Sequence, residues 1–193
     1  MTTAFNVDRF KSALTNGGAR PNQFAVQLSF PTYVTGAAAA VARAPFLVTA
    51  AELPGQTMGL VNVFYRGRDV KLSGDRTFAG FTINVINDSD FSIRSAIEQW
   101  INGMDNLINK TGKLNPAEYQ RDMFVYQLDR NGNVLKQYIL QGAFPTILSP
   151  VGLNFGANDT ISEFTVTFEY QTFTVSANPL NSIIDIATTP FGT

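Results

Sequence analysis

The sequence predicts a mainly β fold of the α+β class, a β-sandwich or barrel with one flanking α-helix. Two patterns predict it. Several short segments alternate apolar and polar side chains, which is typical of half-buried strands. One segment instead repeats its apolar residues every three or four positions, as an amphipathic helix does. We find no internal repeat and no second set of elements, so residues 1–193 are predicted to form a single domain.

The N-terminal region, residues 1–20, is predicted to be an arm. Within it, residues 4–14 have the spacing of a short helix, whose apolar face consists of Phe5, Phe10 and Leu14. An alternating strand follows at residues 24–30 and ends at Pro31. The small-residue segment 34–44 is interpreted as an inserted loop, either flexible or locally helical, and residues 46–53 as a second strand.

The middle of the chain predicts a hairpin, a strand and the main helix. Residues 61–65 and 69–72 flank Arg66-Gly67-Arg68, where Gly67 supplies the turn. Residues 80–87 alternate again. Residues 90–102 then carry a helical stripe, with Asp88 and Asp90 before it as capping candidates. The apolar members of the stripe are Ile93, Ile97, Trp100 and Ile101.

The C-terminal half predicts three further strands. Residues 103–120 are interpreted as a loop, and residues 123–129 and 134–142 as a hairpin around Asn131-Gly132. Pro145 and Pro150 are expected to break the following section. The last strand spans residues 162–175, but its apolar phase switches after Gln171, which predicts a bulge or a change of partner. Residues 176–193 are a C-terminal extension.

The composition excludes several kinds of chemistry. The chain has no cysteine and no histidine, so it cannot build a Ser-His-Asp triad or a thiolate zinc site. Its net charge of −1 gives no overall field that favours DNA or an anionic membrane. No run approaches the roughly 20 apolar residues of a membrane span. We identify no catalytic residue, no cofactor site and no metal site, and predict that the protein is not an enzyme.

Two groups of charged residues are candidates for contacts between subunits. Only 15% of the residues are charged, against about 25% in an average domain. Such a surface is explained either by coverage from neighbouring copies in an assembly or by loops rich in uncharged polar residues. Arg66 and Arg68 at the hairpin tip suit a solvated turn or a contact to a neighbouring subunit. Asp75 and Arg76 suit a turn cap, a surface ion pair or a subunit interface. Strand edges in such a fold also invite pairing between copies.

Several motifs in order resemble one known family. An Ala-Arg-Pro-Asn motif at residues 19–22 precedes the first strand. Leu-Ser-Gly-Asp-Arg-Thr-Phe at residues 72–78 precedes the 81–88 strand and a helix that contains Arg94 and Trp100. Pro-Ala-Glu-Tyr at residues 116–119 is similar to a family loop in which a basic residue stands where this chain has Gln120. From about residue 19 to 170, the series resembles the tail tube proteins of contractile-tailed (myovirus-type) bacteriophages.

The resemblance implies a structural protein of the virion tail, assembled in the host cytoplasm. Subunits would join their sheets into a continuous inner β-barrel within a hexameric ring, and rings would stack into a hollow conduit for genome delivery. The implied partners are further copies of the chain, the tail sheath protein, the baseplate and tape-measure proteins, and genomic DNA that passes without specific binding. The expected subunit and ring interface residues are Arg20, Arg66, Gly67, Arg68, Asp75 and Arg76.

Segments 34–44 and 176–193 depart from the family pattern and look like additions. Two alternative functions stay open from the sequence. One is the tube of a related contractile injection system, whether a bacteriocin, a type VI-like system or an extracellular device. The other is a monomeric β-sandwich binding module.

Overall fold

Nine strands and four helices occur within residues 7–14 and 18–176, the part of the chain that this computed structural model describes. The strands are β1 (Phe24–Gln27), β2 (Val48–Ala51), β3 (Gln56–Tyr65), β4 (Arg68–Phe78), β5 (Phe81–Ile86), β6 (Arg121–Leu128), β7 (Val134–Leu148), β8 (Glu163–Glu169) and β9 (Thr172–Ser176). The helices are α1 (Val7–Ala13), α2 (Ala37–Leu47), α3 (Ser92–Met104) and α4 (Pro116–Tyr119).

The long strand β7 belongs to both sheets of a sandwich. Its first part pairs with β6 on one side and β9 on the other, and β1 pairs with β6. Its last part pairs with β8, which is followed by β5 and β2. All of these pairs are antiparallel. The mainly β prediction is therefore confirmed. The path β1-β6-β7-β8-β5-β2 does not close on itself within the described residues, so the single chain is an open sandwich.

The core lies between the sheets and is closed by α3. Alternate residues of the two central strands are fully buried, namely Phe81, Ile83, Val85, Phe164, Val166 and Phe168. Helix α3 adds the stripe that its spacing predicts, with Ile93, Ile97 and Trp100 buried. The indole Nε1 of Trp100 donates a hydrogen bond to the carbonyl oxygen of Tyr119 at 2.8 Å. The interpretation of Trp100 as a core residue is confirmed.

Asp88 determines where α3 begins. Its carboxylate accepts hydrogen bonds from the backbone N–H of Ser92 at 2.9 Å and from the Ser92 hydroxyl at 2.6 Å. Arg43 of α2 pairs with the same carboxylate and, at 3.1 Å, with Asp90. Burial alone would raise the pKa of Asp88, but the Ser92 hydrogen bonds and the Arg43 charge outweigh burial and hold that pKa below its usual value. Phe91 occupies the N-cap position of α3 and no side chain caps it there, so the prediction of Asp88 or Asp90 as N-cap is wrong. Asp88 instead accepts the first N–H of the helix from four residues before it, and Asp90 pairs with Arg43.

Helix α2 and strand β7 both continue beyond the ends that the sequence predicts. Of the alternatives for residues 34–44, the structure has the helical one, because the alanines form α2 and bury Ala40 and Ala44. The predicted break at Pro145 is absent, since β7 continues through it to Leu148. Pro145 lies where β7 shifts register against β8, a position at which a missing N–H interrupts little.

The phase switch after Gln171 is a change of partner. Strand β8 pairs with β5 and with the end of β7, whereas β9 pairs with residues 137–141 of β7 in the other sheet. The chain therefore crosses from one sheet to the other at Tyr170 and Gln171. Of the two predicted alternatives, a bulge or a change of partner, the structure has the change of partner. Predicted positions 4–6 of the N-terminal helix and 177–193 of the C-terminal extension lie outside the described residues.

Candidate assembly surface

Strands β3 and β4 form a hairpin that is a sheet of its own. They pair with each other and with no other strand of the described chain. Tyr65 pairs with Arg68, so the loop consists of Arg66 and Gly67 alone, whose φ angles are 47° and 79°. Two successive positive φ angles give a type I′ turn, which suits the twist of the flanking strands. The predicted hairpin is confirmed, with strands longer than the sequence pattern indicated.

One face of this hairpin carries an apolar ladder, defined as Val61, Val63, Val70 and Leu72. The register places Val61 opposite Leu72 and Val63 opposite Val70, so the four side chains share one face. Each is about half exposed, at 48%, 44%, 46% and 51% respectively. On the opposite face Phe64 is 80% exposed. β-Branched and aromatic residues favour strands because they pack on neighbouring side chains. The hairpin contains such residues, but in the single chain they remain about half exposed or more.

Ring contacts at the base of the hairpin anchor it to the body. Phe78, the last residue of β4, contacts the rings of Tyr170 and Phe173 at centroid distances of 5.8 and 5.6 Å. A bulge follows at Gly74, where a Cβ atom would lie 3.0 Å from the backbone carbon of Gly59. The two strands can approach this closely only without side chains there. A lone two-stranded ribbon is marginally stable in water, and the described chain provides no further strand that pairs with this hairpin.

The predicted interface residues of this region lie along the same ribbon. Arg66 and Arg68 are at the tip, and the Arg66 guanidinium lies 5.5 Å from the centre of the Tyr65 ring. Asp75 and Arg76 are inside β4 next to the bulge, so the interpretation of this motif as a turn between two strands is wrong. Within the described part of the chain, none of these four charged residues makes an ion pair. Their charges are therefore exposed on the hairpin.

Arg20 lies elsewhere, before β1 and beside the turn between β6 and β7. Its carbonyl oxygen accepts a hydrogen bond from Nε2 of Gln127 at 2.7 Å. Together with residues of the β6–β7 turn it lines a cavity of about 170 Å³. The structure therefore brings five of the six predicted interface residues onto one hairpin and leaves Arg20 at a separate position.

Sequence reasoning missed the apolar ladder as a candidate surface. Val61 and Val63 are separated by Asn62 but flanked by Leu60 and Phe64, so the sequence predicts a strand there without indicating which surface covers it. The only signal of exposure was the low share of charged residues, which does not say where the uncovered apolar side chains lie. In the described residues, no helix has the length and apolar character of a membrane span, and no cluster of acidic residues could hold a metal ion.

Comparison with known proteins identifies relatives over most of the chain. The model of a family described as phage tail tube protein matches residues 19–176. The tail tube protein of Serratia phage KSP90 is 32% identical over 169 residues, which cover 85% of this chain and 93% of the relative. Tail tube protein gp19 of Enterobacteria phage T4 is 29% identical over 163 residues, covering 83% and 94%.

Solved structures share the fold at low identity. A chain from the sheath–tube complex of the extracellular contractile injection system PVC superposes with a TM-score of 0.59 at 13% identity, covering 87% of this chain and 97% of that chain. A chain from the tube-terminating cap of the anti-feeding prophage superposes with a TM-score of 0.60 at 17% identity, covering 82% and 90%.

These relatives confirm the tail tube function, the structural rather than catalytic class and the location in the virion that the sequence predicted. They also favour the tube over the monomeric binding module. With a family match that spans most of its length, the chain belongs to the phage tail tube protein family.

Proposed function

We propose that the chain builds the inner tube of a contractile phage tail as hexameric rings that stack through the β3–β4 hairpin. The observation that carries this proposal is the half-exposed apolar ladder on a hairpin that pairs with nothing else in the described chain. Each member of the ladder gains about 1 kcal/mol or more from completing its burial. Four such residues on every copy favour association strongly.

The ladder face and the tip of the hairpin suit different contacts. The ladder is apolar and about half exposed, which fits the side of a neighbouring copy. The tip is basic and carries Arg66 and Arg68, which fit a polar contact to the next ring. Contacts of this kind, in which a projection on one copy meets a different surface on the next, close into rings or continue as stacks.

Open strand edges support joining of the sheets within a ring. In the described residues, β1 pairs only with β6, β2 only with β5 and β9 only with β7. A soluble single chain has to protect such edges, whereas a ring removes them by pairing them between subunits. A continuous inner β-barrel would therefore satisfy edges that the single chain leaves open.

Two further partner classes follow from charge and from the relatives. The net charge of −1 per chain supports passage of DNA without specific binding, because tight phosphate contacts would need many basic residues. The fold neighbour from a sheath–tube complex supports an outer sheath as a second partner. Baseplate and tape-measure proteins complete the proposed set.

A second candidate is the tube of an extracellular contractile injection system, because the fold neighbours above come from such machines. The sequence relatives come from phages instead, which favours a genome as cargo. Intact particles that contain this chain discriminate the two, since a capsid filled with DNA at the end of the tail supports the phage tube.

The proposal is tested by polymerisation of the purified protein, observed by negative-stain microscopy over a concentration series. We expect the wild-type chain to form tubes and the double variant Arg66→Ala/Arg68→Ala to remain as rings or single chains with an unchanged melting temperature. The matched control is Lys110→Ala/Lys113→Ala, which removes the same charge from an exposed loop outside the hairpin. Normal tubes from the arginine variant would show that the tip does not join the rings.

A further inference from the structure

The loop between β7 and β8, residues 149–162, presents apolar side chains to solvent. Leu153 is 91% exposed, Phe155 is completely exposed and Ile161 is 70% exposed. Single exposed apolar residues are common on protein surfaces, but several together within one short loop are typical of an interaction site. The β7–β8 loop is therefore a candidate for a contact to another molecule.

Hydrogen bonds hold both ends of this loop on the body. At its start, the Ser149 hydroxyl accepts the backbone N–H of Thr165 at 2.7 Å, and the Ser149 carbonyl oxygen accepts a guanidinium N–H of Arg94 at 3.3 Å. At its end, Nδ2 of Asn87 donates to the Ser162 hydroxyl at 3.0 Å. A loop with fixed ends loses less conformational entropy when it binds a partner.

The loop and the base of the β3–β4 hairpin lie at opposite ends of β5. Strand β4 ends at Phe78 and β5 begins at Phe81, so the hairpin leaves the body at the start of β5. The register pairs Ile86, the last residue of β5, with Glu163, the residue that follows the loop. The six residues of β5 separate these two points by about 20 Å. A projection at one end of a subunit and a receiving surface at the other end suit a heterologous contact that continues as a stack.

The hairpin and the loop region carry opposite charges. The hairpin, residues 56–78, contains four basic and two acidic residues, which give a net charge of +2. Residues 149–163 contain only Asp159 and Glu163 as charged residues, which give a net charge of −2. Within the described part of the chain, none of these eight residues makes an ion pair. Each surface therefore complements a partner that carries the other charge.

The hairpin tip also has exposed aromatic side chains that match the apolar loop. Phe64 and Tyr65 precede the turn and are 80% and 63% exposed. Both these rings and the apolar side chains of the loop are exposed in the single chain, so the tip and the loop do not cover each other within one copy.

We propose that the hairpin tip of one copy binds the β7–β8 loop of a copy in the next ring, a contact that rests on the proposed assembly into stacked rings. The tip arginines Arg66 and Arg68 face Asp159 and Glu163, while the tip aromatic rings pack on the apolar side chains of the loop. Every copy uses its tip at one end and its loop at the other, so the contact repeats along the tube.

Charge reversal on both sides tests the contact, with negative-stain microscopy of the purified chains over a concentration series. Arg66→Asp/Arg68→Glu reverses the tip, and Asp159→Asn/Glu163→Lys reverses the loop region. Aspartate and asparagine tolerate the positive φ angles of positions 66 and 159. Each double variant should raise the concentration needed for tubes about tenfold or more. The chain with all four changes should return to within about threefold of the wild type, because every reversed tip then meets a reversed loop.

The matched control joins the reversed tip to Asp105→Asn/Glu118→Lys. It makes the same change of charge outside the β7–β8 loop, at residues of two surface ion pairs, and should not restore tubes.

A second measurement leaves all charges in place. Because the chain lacks cysteine, oxidised tubes of Tyr65→Cys/Phe155→Cys should give a ladder of disulfide-linked multimers on a non-reducing gel. Each single cysteine variant should give only background cross-linking. If a charge variant fails to fold, as judged by its melting temperature, the cysteine pair decides alone.

Three results would overturn the contact. The first is normal tubes from the loop variant, which would leave the loop for a different protein such as an outer sheath. The second is a chain with all four changes that folds but assembles no better than the reversed tip alone. The third is a cysteine pair that gives only an intrachain disulfide, or no multimers above the background. In all three cases wild-type tubes leave the proposed function standing, whereas a wild-type chain that never polymerises overturns that function and this contact together.

Discussion

Strands β5 and β3 both place apolar side chains along one face, but the two faces have opposite environments. In β5 the alternating Phe81, Ile83 and Val85 are fully buried between the sheets. In β3 the alternating Val61 and Val63 are about half exposed on a hairpin that no other strand joins. Alternation therefore identifies the apolar face of a strand but not the molecule that covers it. In this chain the sandwich covers the first face, and we propose that a sister copy covers the second.

We expect substitutions in the core to lower the stability of the single chain, and substitutions in the hairpin to block assembly without lowering stability. The largest expected effect on stability is Trp100→Ala in α3. Loss of this fully buried side chain should cost about 3–5 kcal/mol, and it also removes the donor to the Tyr119 carbonyl oxygen. Urea unfolding of the single chain measures it. A cost below about 1 kcal/mol would place Trp100 outside the cooperative core.

A smaller effect is expected at the junction of α2 and α3, where Asp88 accepts the first N–H of the helix. Asp88→Ala should destabilise the chain by about 0.5–2 kcal/mol at pH 7, the range for replacing a capping side chain by alanine. The folded-state pKa of Asp88 lies below the unfolded value of 3.8, so its contribution is present above pH 3.8 and is lost as the pH falls through the folded pKa.

Unfolding free energies at pH 7 and at pH 3 measure this contribution. The difference between the wild-type chain and Asp88→Ala should shrink as the pH falls. A difference that stays constant over this range would show that ionisation of Asp88 does not stabilise the fold. Arg43→Gln serves as a companion variant, because it leaves the hydrogen bonds from Ser92 to Asp88 in place and removes the ion pairs of Arg43 with Asp88 and Asp90.

Local patterns predicted most of the sandwich, because its strands alternate and its turns contain glycine or asparagine. The phase switch after Gln171 even indicated the strand that changes sheets. Helix α2 was less clear, since an alanine-rich segment has no contrast between apolar and polar faces. Continuation of β7 through Pro145 depends on a register shift against β8, which is a property of the pair and not of either strand alone.

The candidate surface was only partly predictable for the same reason. Gly67 indicated the hairpin tip because glycine tolerates the positive φ that the turn requires. Gly74 suggested a turn as well, but in the structure it allows close approach of two paired strands. That distinction depends on the partner strand, so Asp75 and Arg76 were placed wrongly. Arg20 entered only through the family resemblance, and its place at the cavity required the fold.

The smallest expected change in stability belongs to the apolar ladder itself. The double variant Val63→Ser/Val70→Ser removes one cross-strand pair from the hairpin and should change the unfolding free energy of the single chain by less than about 1 kcal/mol. Assembly should nevertheless fail, because the surface that a neighbouring copy covers is lost. Sedimentation velocity and negative-stain microscopy measure this outcome, with Leu107→Ser/Ile108→Ser as a control that removes exposed apolar residues outside the hairpin.

If the ladder variant unfolds instead, the hairpin is part of the core of one chain. If it still forms tubes at the wild-type concentration, the ladder is a surface that no sister copy needs. Only a folded chain that no longer assembles is consistent with an apolar ladder that a neighbouring copy covers.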